Sequence, residues 1–194
     1  MNNVKRLLTY RYAEIIHDLT VEFTQTYTLS HLSNLRNLNL ARKPDYRTAD
    51  QMNQAARSGR QNIVEGVGQS ATSSKGLIKL LGVANASFEE LLSDYEDFLR
   101  QNKLPIYQKA DPRVTEFRKI SYHLSDMRNL SNLGELIERP NLFNKPEKDA
   151  NFLLTLCHLE TYLLSKQIKA AEEKFIKEGG YSENLFRRRL QNRK

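Results

Sequence analysis

The stretch RTADQMNQAARSGRQNIVEGVGQ, Arg47 to Gln69, decides how this chain folds. Its second half, starting at Ser58, places Gly59, Gly66 and Gly68 beside Asn62, Glu65 and Arg60 in an otherwise alanine-rich helical pattern. Three readings compete: a phosphate-gripping loop, a catalytic polar cluster, or the close-packed end of a helix. A P-loop needs a preceding strand and Gly-Lys-Ser/Thr after its second glycine. Here Gly68 is followed by QSATSSKG, with Lys75 out of place. A dinucleotide fingerprint fails as well, because EGVGQSAT lacks the third glycine. Steric packing accounts for the glycines better. Ala55, Ala56, Gly59 and Gly66 fall on nearly one helical face, which lets a neighbouring helix approach closely. Gly68 with the polar QSATSS ends the helix, reverses the chain and caps the next element.

The polar residues Ser58, Asn62 and Glu65 follow at steps of four and three, beside the small stripe. Buried polar groups are hydrogen-bonded, so Asn62 and Glu65 are expected to fasten this helix to its neighbours. Glu65 is aimed in this reading at the amides around Ser73 to Lys75. The catalytic alternative needs a second carboxylate converging on Glu65; the sequence neighbourhood supplies none, and Glu90 on another helix stays open as a partner.

Outward from this stretch, the apolar steps are helical almost throughout. Leu8, Tyr12, Ile15, Leu19 and Phe23 predict a first helix over about 5–28. The leucine- and Asn-rich segment 29–44 reads as an irregular connector ending before Pro44. A second helix covers about 47–67. A third, over 74–102, carries Leu77, Leu80, Leu81, Ala84, Phe88, Leu91, Leu92, Tyr95 and Phe98 and stops before Pro105. Residues 105–145 form a mixed insertion with a shorter helix in PRVTEFRKISYHL. The last long helix opens at Pro146, suited to a first-turn position, and ends before Gly179 and Gly180. Its buried side is expected to hold Phe152, Leu153, Leu156, Leu159, Leu163, Ile168, Ala171 and Phe175.

Four long amphipathic helices joined by polar turns favour an all-α, antiparallel up-down four-helix bundle over 1–178. A short basic extension follows over 179–194, with a final helical turn as one reading of it.

The chain of 194 residues carries 30 basic and 23 acidic residues, a net charge of +7. Its charge is unevenly spread. LFRRRLQNRK at the C-terminus holds Arg187, Arg188, Arg189, Arg193 and Lys194 without an acid, whereas FEELLSDYEDF holds Glu89, Glu90, Asp94, Glu96 and Asp97 without a base. The arginines, with Tyr181 and Phe186 nearby for stacking, suit phosphate backbones. The competing reading is a solvated tail, or one docked on its own acidic helix. No run of apolar residues is long enough to span a membrane, and the interrupted apolar start rejects a secretory signal. Cys157 among leucines reads as a small core residue in a reducing cytoplasm. His17, His31, His123 and His158 are scattered and make no HxxxH or Glu-x-x-His pair. No metal, cofactor or catalytic residue is therefore expected.

DQMNQAARSGRQNIVEG, EELLSDYEDFLR and EGGYSENLFRRR together resemble a bacterial family of four-helix-bundle proteins. That family includes proteins encoded by intervening sequences within large-subunit ribosomal RNA genes. Accessory proteins of diversity-generating retroelements are similar at a greater distance. The family pattern appears here as Ala55, Ala56, Ser58, Asn62, Ile63, Glu65 and Gly66, continued in Ala84, Ser87, Glu90 and Leu91. The closer resemblance is to the subset with a C-terminal suffix domain. It covers most of the chain, loosely over 29–44 and 105–145. It implies a bundle that assembles as a homo-oligomer, a pentamer in relatives, with a basic surface for RNA or DNA and no enzymatic activity. A protein-interaction scaffold without nucleic acid is the alternative. One departure bears on the basic surface. Many family members carry two arginines before the alanine pair, where this chain has Asn53 and Gln54. Arg57 and Arg60 lie on other faces of that turn, which leaves the C-terminal arginines to compensate.

Overall fold

A computed structural model describes residues 3–29, 44–127 and 141–192. Everything with regular structure among them is helical. Five helices pack together: α1 (Leu8–Phe23), α2 (Tyr46–Gln69), α3 (Ser74–Gln101), α4 (Pro112–Met127) and α5 (Pro146–Glu178). A sixth, α6 (Tyr181–Gln191), follows at the C-terminal end and has no buried residue. No described helix is long and apolar enough to cross a membrane.

The ends of these helices follow local chemistry. Asp45 caps α2 by accepting the Thr48 amide at 3.0 Å, and Ser73 caps α3 by accepting the Gly76 amide at 2.9 Å. Asn102 ends α3 by donating to the Phe98 carbonyl, and Lys103 follows in a left-handed conformation. Pro146 sits in the first turn of α5, where its missing N–H is not needed. Gly179 takes φ +75, a region glycine enters without penalty, and Glu183 accepts the Gly180 amide to start α6.

The helix expected over 5–28 is three pieces. A 3₁₀ turn spans Asn3–Arg6, and a π-helical turn over Thr24–Thr28 follows α1. The wider turn has a purpose in packing: Tyr27 lies against Phe23 at 5.0 Å between ring centroids, and its hydroxyl donates to Asp149. The connector expected over 29–44 falls mostly outside the described residues.

α1 packs on α2 and α5, and α3 packs on the same two helices, so these four enclose one core. Ile15, Ile16, Leu19, Phe23, Met52, Ile63, Leu81, Phe88, Leu91, Tyr95 and Phe152 fill it without exposure. The stripes read from periodicity on α1, α2 and α3 are thus largely the buried ones. On α5 only Phe152, Leu153 and Leu156 of the expected side are buried; Leu159, Leu163, Ile168, Ala171 and Phe175 are half-buried, and Leu164 goes inside. Within 105–145 the shorter helix expected at PRVTEFRKISYHL is present as α4, and it packs on α5 and α1, while 128–140 lie outside the described residues. Phe117 of α4 is fully buried and stacks among Tyr107, Phe143 and Phe152 at 5.3–6.2 Å. The apolar steps of α4 are few because both neighbours bury only a narrow face of it. The C-terminal extension holds more helix than one final turn: α6 makes about three turns, because Glu183 and Gly180 give it its own N-terminal cap.

Candidate functional site

The signature stretch sits at the seam between α2 and α3. A Cβ added to Gly59 would lie 2.5 Å from Cζ of Phe88, a ring that is fully buried and has no room to yield. Gly66 is less tightly held, with Leu80 3.3 Å from the same imagined atom, a distance a shift of a few tenths of an ångström relieves. Close helix approach therefore requires glycine at Gly59 and favours it at Gly66. Gly68 does not share the role: nothing lies within 4 Å of it, its φ is negative, and α2 continues through it to Gln69. The reversal is made by Ser70 to Ser73 instead, where the Ser73 amide returns to the Gln69 carbonyl at 2.8 Å.

The polar members are arranged otherwise than expected. Ser58 meets Ser87 across the seam, hydroxyl to hydroxyl at 3.1 Å, and that pair is the interhelical tie. Asn62 donates back to the Ser58 carbonyl and hydroxyl at 2.9 and 3.2 Å, so it braces its own helix. Glu65 is exposed, and no hydrogen bond or ion pair reaches it among the described residues. At the start of α3 the Ser73 amide goes to the Gln69 carbonyl and the Gly76 amide to the Ser73 hydroxyl, without Glu65. Glu90 is exposed too, and belongs to a different part of the seam. Ala55 and Ala56 are buried as the small stripe requires. Arg57 is exposed and Arg60 partly so.

Farther along the seam the surface turns acidic. An open groove of about 790 Å³ has a floor of Ala55, Ser58 and Ser87 and a rim carrying Asp50, Glu90 and Asp94. Partial burial, with the nearby charges of Glu90 and Asp97, pushes the Asp94 carboxyl up to about 6. The cationic residues lie elsewhere. Arg187, Arg188 and Arg189 are exposed on α6, and no acid pairs with them among the described residues. Arg193 and Lys194 lie outside the described residues. α6 meets the rest of the chain at the α2–α3 turn, along a cleft lined by Ser74, Leu77, Lys174, Tyr181 and Arg188. About 18 Å of helix rise separates Leu77 from Glu89, so α6 is not docked on its own acidic stretch. Roughly 15 Å likewise separates Arg60 from the turn, which leaves Arg57 and Arg60 apart from the α6 group.

Two buried carboxyls on α5 escaped the sequence reading. Asp149 is fully buried and accepts the Tyr27 hydroxyl at 2.5 Å and the amides of Phe143 and Lys145 at 2.7 and 3.1 Å. Glu160 is equally buried, and neither oxygen has a hydrogen-bond partner among the described residues. Burial pushes its carboxyl, and the neighbouring Cys157 thiol, well above their ordinary ranges. A signal for Glu160 existed: it continues the stripe Leu153, Leu156, Cys157 toward Leu164 at steps of three and four. No group of three or more His, Cys, Asp or Glu among the described residues is placed to hold a metal ion.

A fourth concavity, between α4 and α5, has no acid among its described lining residues. It joins Val114 and Arg118 of α4 to His158, Leu159 and Tyr162 of α5, with Lys109 from the connector before α4.

Comparison with protein-family models, with curated proteins and with solved structures finds no match for this chain.

Proposed function

We propose that this chain is a suffix-bearing protein of the four-helix-bundle kind, a non-enzymatic cytoplasmic homo-oligomer whose cationic surface contacts RNA or DNA as an accessory factor. In this reading α1, α2, α3 and α5 are the family's four helices, and α4 and α6 are additions. The observation that carries the nucleic-acid part is α6. It presents Arg187, Arg188 and Arg189 in a helix with no buried residue and no acidic partner among the described residues. Unpaired arginines bind phosphate bidentately and release counterions from the strand. Phe186 and Tyr181, 62% and 52% exposed, offer rings for stacking beside them.

The test is a salt titration of binding to a single-stranded RNA and a duplex DNA. Affinity falls steeply with salt in the intact chain. The triple variant Arg187→Ala, Arg188→Ala, Arg189→Ala weakens it and lowers the salt slope by about 2 for single strands, at about 0.7 per phosphate contact. Absent or salt-insensitive binding overturns the reading.

The second reading is a protein-interaction scaffold, favoured by the acidic groove between α2 and α3. Its rim of Asp50, Glu90 and Asp94 over a small-residue floor suits a basic helical segment. Capture of a protein partner after nuclease treatment, lost on Glu90→Lys, supports it.

A further inference from the structure

The concavity between α4 and α5 differs in kind from the other grooves. Each of the other three carries at least one carboxylate: Asp50, Glu90 and Asp94 in the first, Asp45, Asp94 and Asp97 in the second, Glu178 at the α6 cleft. The α4–α5 slot has none. Its volume of about 470 Å³ lies within the range of small-ligand pockets, about 300–1,000 Å³. The floor is apolar, from buried Val114 and half-buried Leu159.

Tyr162, a residue 59% exposed, forms one wall. A tyrosine of that exposure at the edge of an apolar slot offers a ring face for stacking. Tyr107, at the opposite side, is already occupied: Arg113 covers its ring at 3.4 Å and its hydroxyl donates to Glu147. Tyr162 is the less occupied ring: Lys166 Nζ lies over one of its faces at 5.4 Å, and no other ring or cation stacks on it among the described residues, whereas Tyr107 also stacks on Phe117.

The rim is cationic and uncommitted. Arg118, half-buried, and Lys109, exposed, form no ion pair among the described residues, and His158 adds ring nitrogens. An apolar slot with an exposed aromatic wall and unpaired cations at its mouth calls for a planar ring carrying an anion. A neutral aromatic leaves Arg118 and Lys109 without a role, and a bare anion leaves Tyr162 and the apolar floor without one.

We propose that this slot binds one nucleoside-phosphate unit, the base stacked on Tyr162 over Val114 and Leu159 and the phosphate held by Arg118 and Lys109. Where the unit belongs to a single strand, this rests on the nucleic-acid reading above and adds a base-reading point remote from α6. Where it is a free nucleotide, the slot stands by itself. Stacking of one base on an aromatic side chain contributes about 1–3 kcal/mol, a factor of about five to a hundred and fifty in affinity.

The test uses the full chain with three probes: adenosine monophosphate, inorganic phosphate, and a dye-labelled single-stranded RNA oligomer. Intact protein is compared with Tyr162→Ala, Tyr162→Phe, Arg118→Gln and the α6 triple variant. Both tyrosine variants alter an exposed ring, and thermal melts confirm that each variant is folded. Adenosine monophosphate is expected to bind the intact chain, to weaken at least fivefold in Tyr162→Ala and Arg118→Gln, and to keep its affinity in Tyr162→Phe. It is unaffected by the α6 variant. Inorganic phosphate competes poorly. Oligomer binding that also weakens in Tyr162→Ala assigns the slot to a strand; mononucleotide binding without oligomer binding assigns it to a free nucleotide and overturns the α6 reading alone. The slot proposal falls if adenosine monophosphate does not bind, if Tyr162→Ala leaves its affinity unchanged, or if phosphate competes equally well. Oligomer binding lost only in the α6 variant, with no mononucleotide binding, overturns the slot and leaves the α6 reading in place.

Discussion

Asp149 and Glu160 stand about three helical turns apart on α5, both without solvent exposure, and their surroundings are opposites. Asp149 has three donors, at least one on each oxygen: the Tyr27 hydroxyl and the Phe143 and Lys145 amides. Those hydrogen bonds hold its carboxyl down against the larger upward push of burial. Glu160 has burial alone. The first carboxyl organises the start of α5 by gathering the preceding loop and the π-turn after α1 around one residue. The second sits under Tyr12 and beside Cys157, groups that each feel its charge, and gains nothing from them. Equal burial thus describes one junction and one weakness. The deciding variable is the number of donors aimed at the carboxyl.

The contrast breaks most visibly at Asp149. Asp149→Ala orphans three donors, each costing about 1–3 kcal/mol when buried. A loss of at least about 3 kcal/mol is expected, or roughly 6–12 °C in a thermal melt at about 2–4 °C per kcal/mol. A melt within 2 °C of the parent ends the claim that this residue is a junction.

Glu160 responds in the other direction. Glu160→Leu removes an unbonded buried carboxyl and is expected to stabilise by about 1–3 kcal/mol at pH 8. The pH dependence follows from proton counting. The folded state keeps the Glu160 proton above the ordinary value of 4.5, where the unfolded chain releases it. Stability contributed by that proton is complete below about 4.5 and is lost as pH rises toward the folded value, by up to about 1.4 kcal/mol per pH unit. Glu160→Gln cannot titrate and flattens this part of the profile. Denaturant melts from pH 5 to 8 check it; a profile equally steep in Glu160→Gln assigns the dependence to other groups, with Asp94 the next in line at about 6.

Packing offers a test of comparable size. Gly59→Ala drives a methyl into Phe88 and costs about 1–3 kcal/mol by overpacking. Combining it with Phe88→Leu recovers part of the loss, because the two share one contact. Smaller still, Tyr27→Phe removes a single donor from Asp149 and costs about 1 kcal/mol, well short of Asp149→Ala. Glu65→Gln is the exposed control, expected within about 0.5 kcal/mol of the parent. A larger effect at Glu65 restores it as a structural fastener.

The helices and most of their buried faces were legible because period and end chemistry are local. Met52, Ala56, Gly59 and Ile63 recur at helical spacing, and Ser73, Pro105, Pro146 and Gly179 punctuate the elements by their own stereochemistry. α4 was half-legible: its helical pattern showed, but the burial of Phe117 depends on Tyr107, Phe143 and Phe152, which arrive from three separate segments. Glu65 misled because its position one turn after Asn62 suggested a shared seam, and helical rotation places it outside.

By itself, then, the sequence determined an all-helical chain, the small-residue seam at Gly59, a charge split between the Glu89–Asp97 stretch and the C-terminal arginines, and the absence of any familiar phosphate-loop pattern. Each of these depends on residues a few positions apart. Only the tertiary structure decided that Ser58 pairs with Ser87, that Asp149 is gathered in and Glu160 is not, that α6 lies away from the acidic stretch, and that an acid-free slot opens between α4 and α5. Those outcomes depend on which side chains arrive from distant segments, and hydrogen bonding and charge pairing are decided by distances that spacing along one helix does not contain.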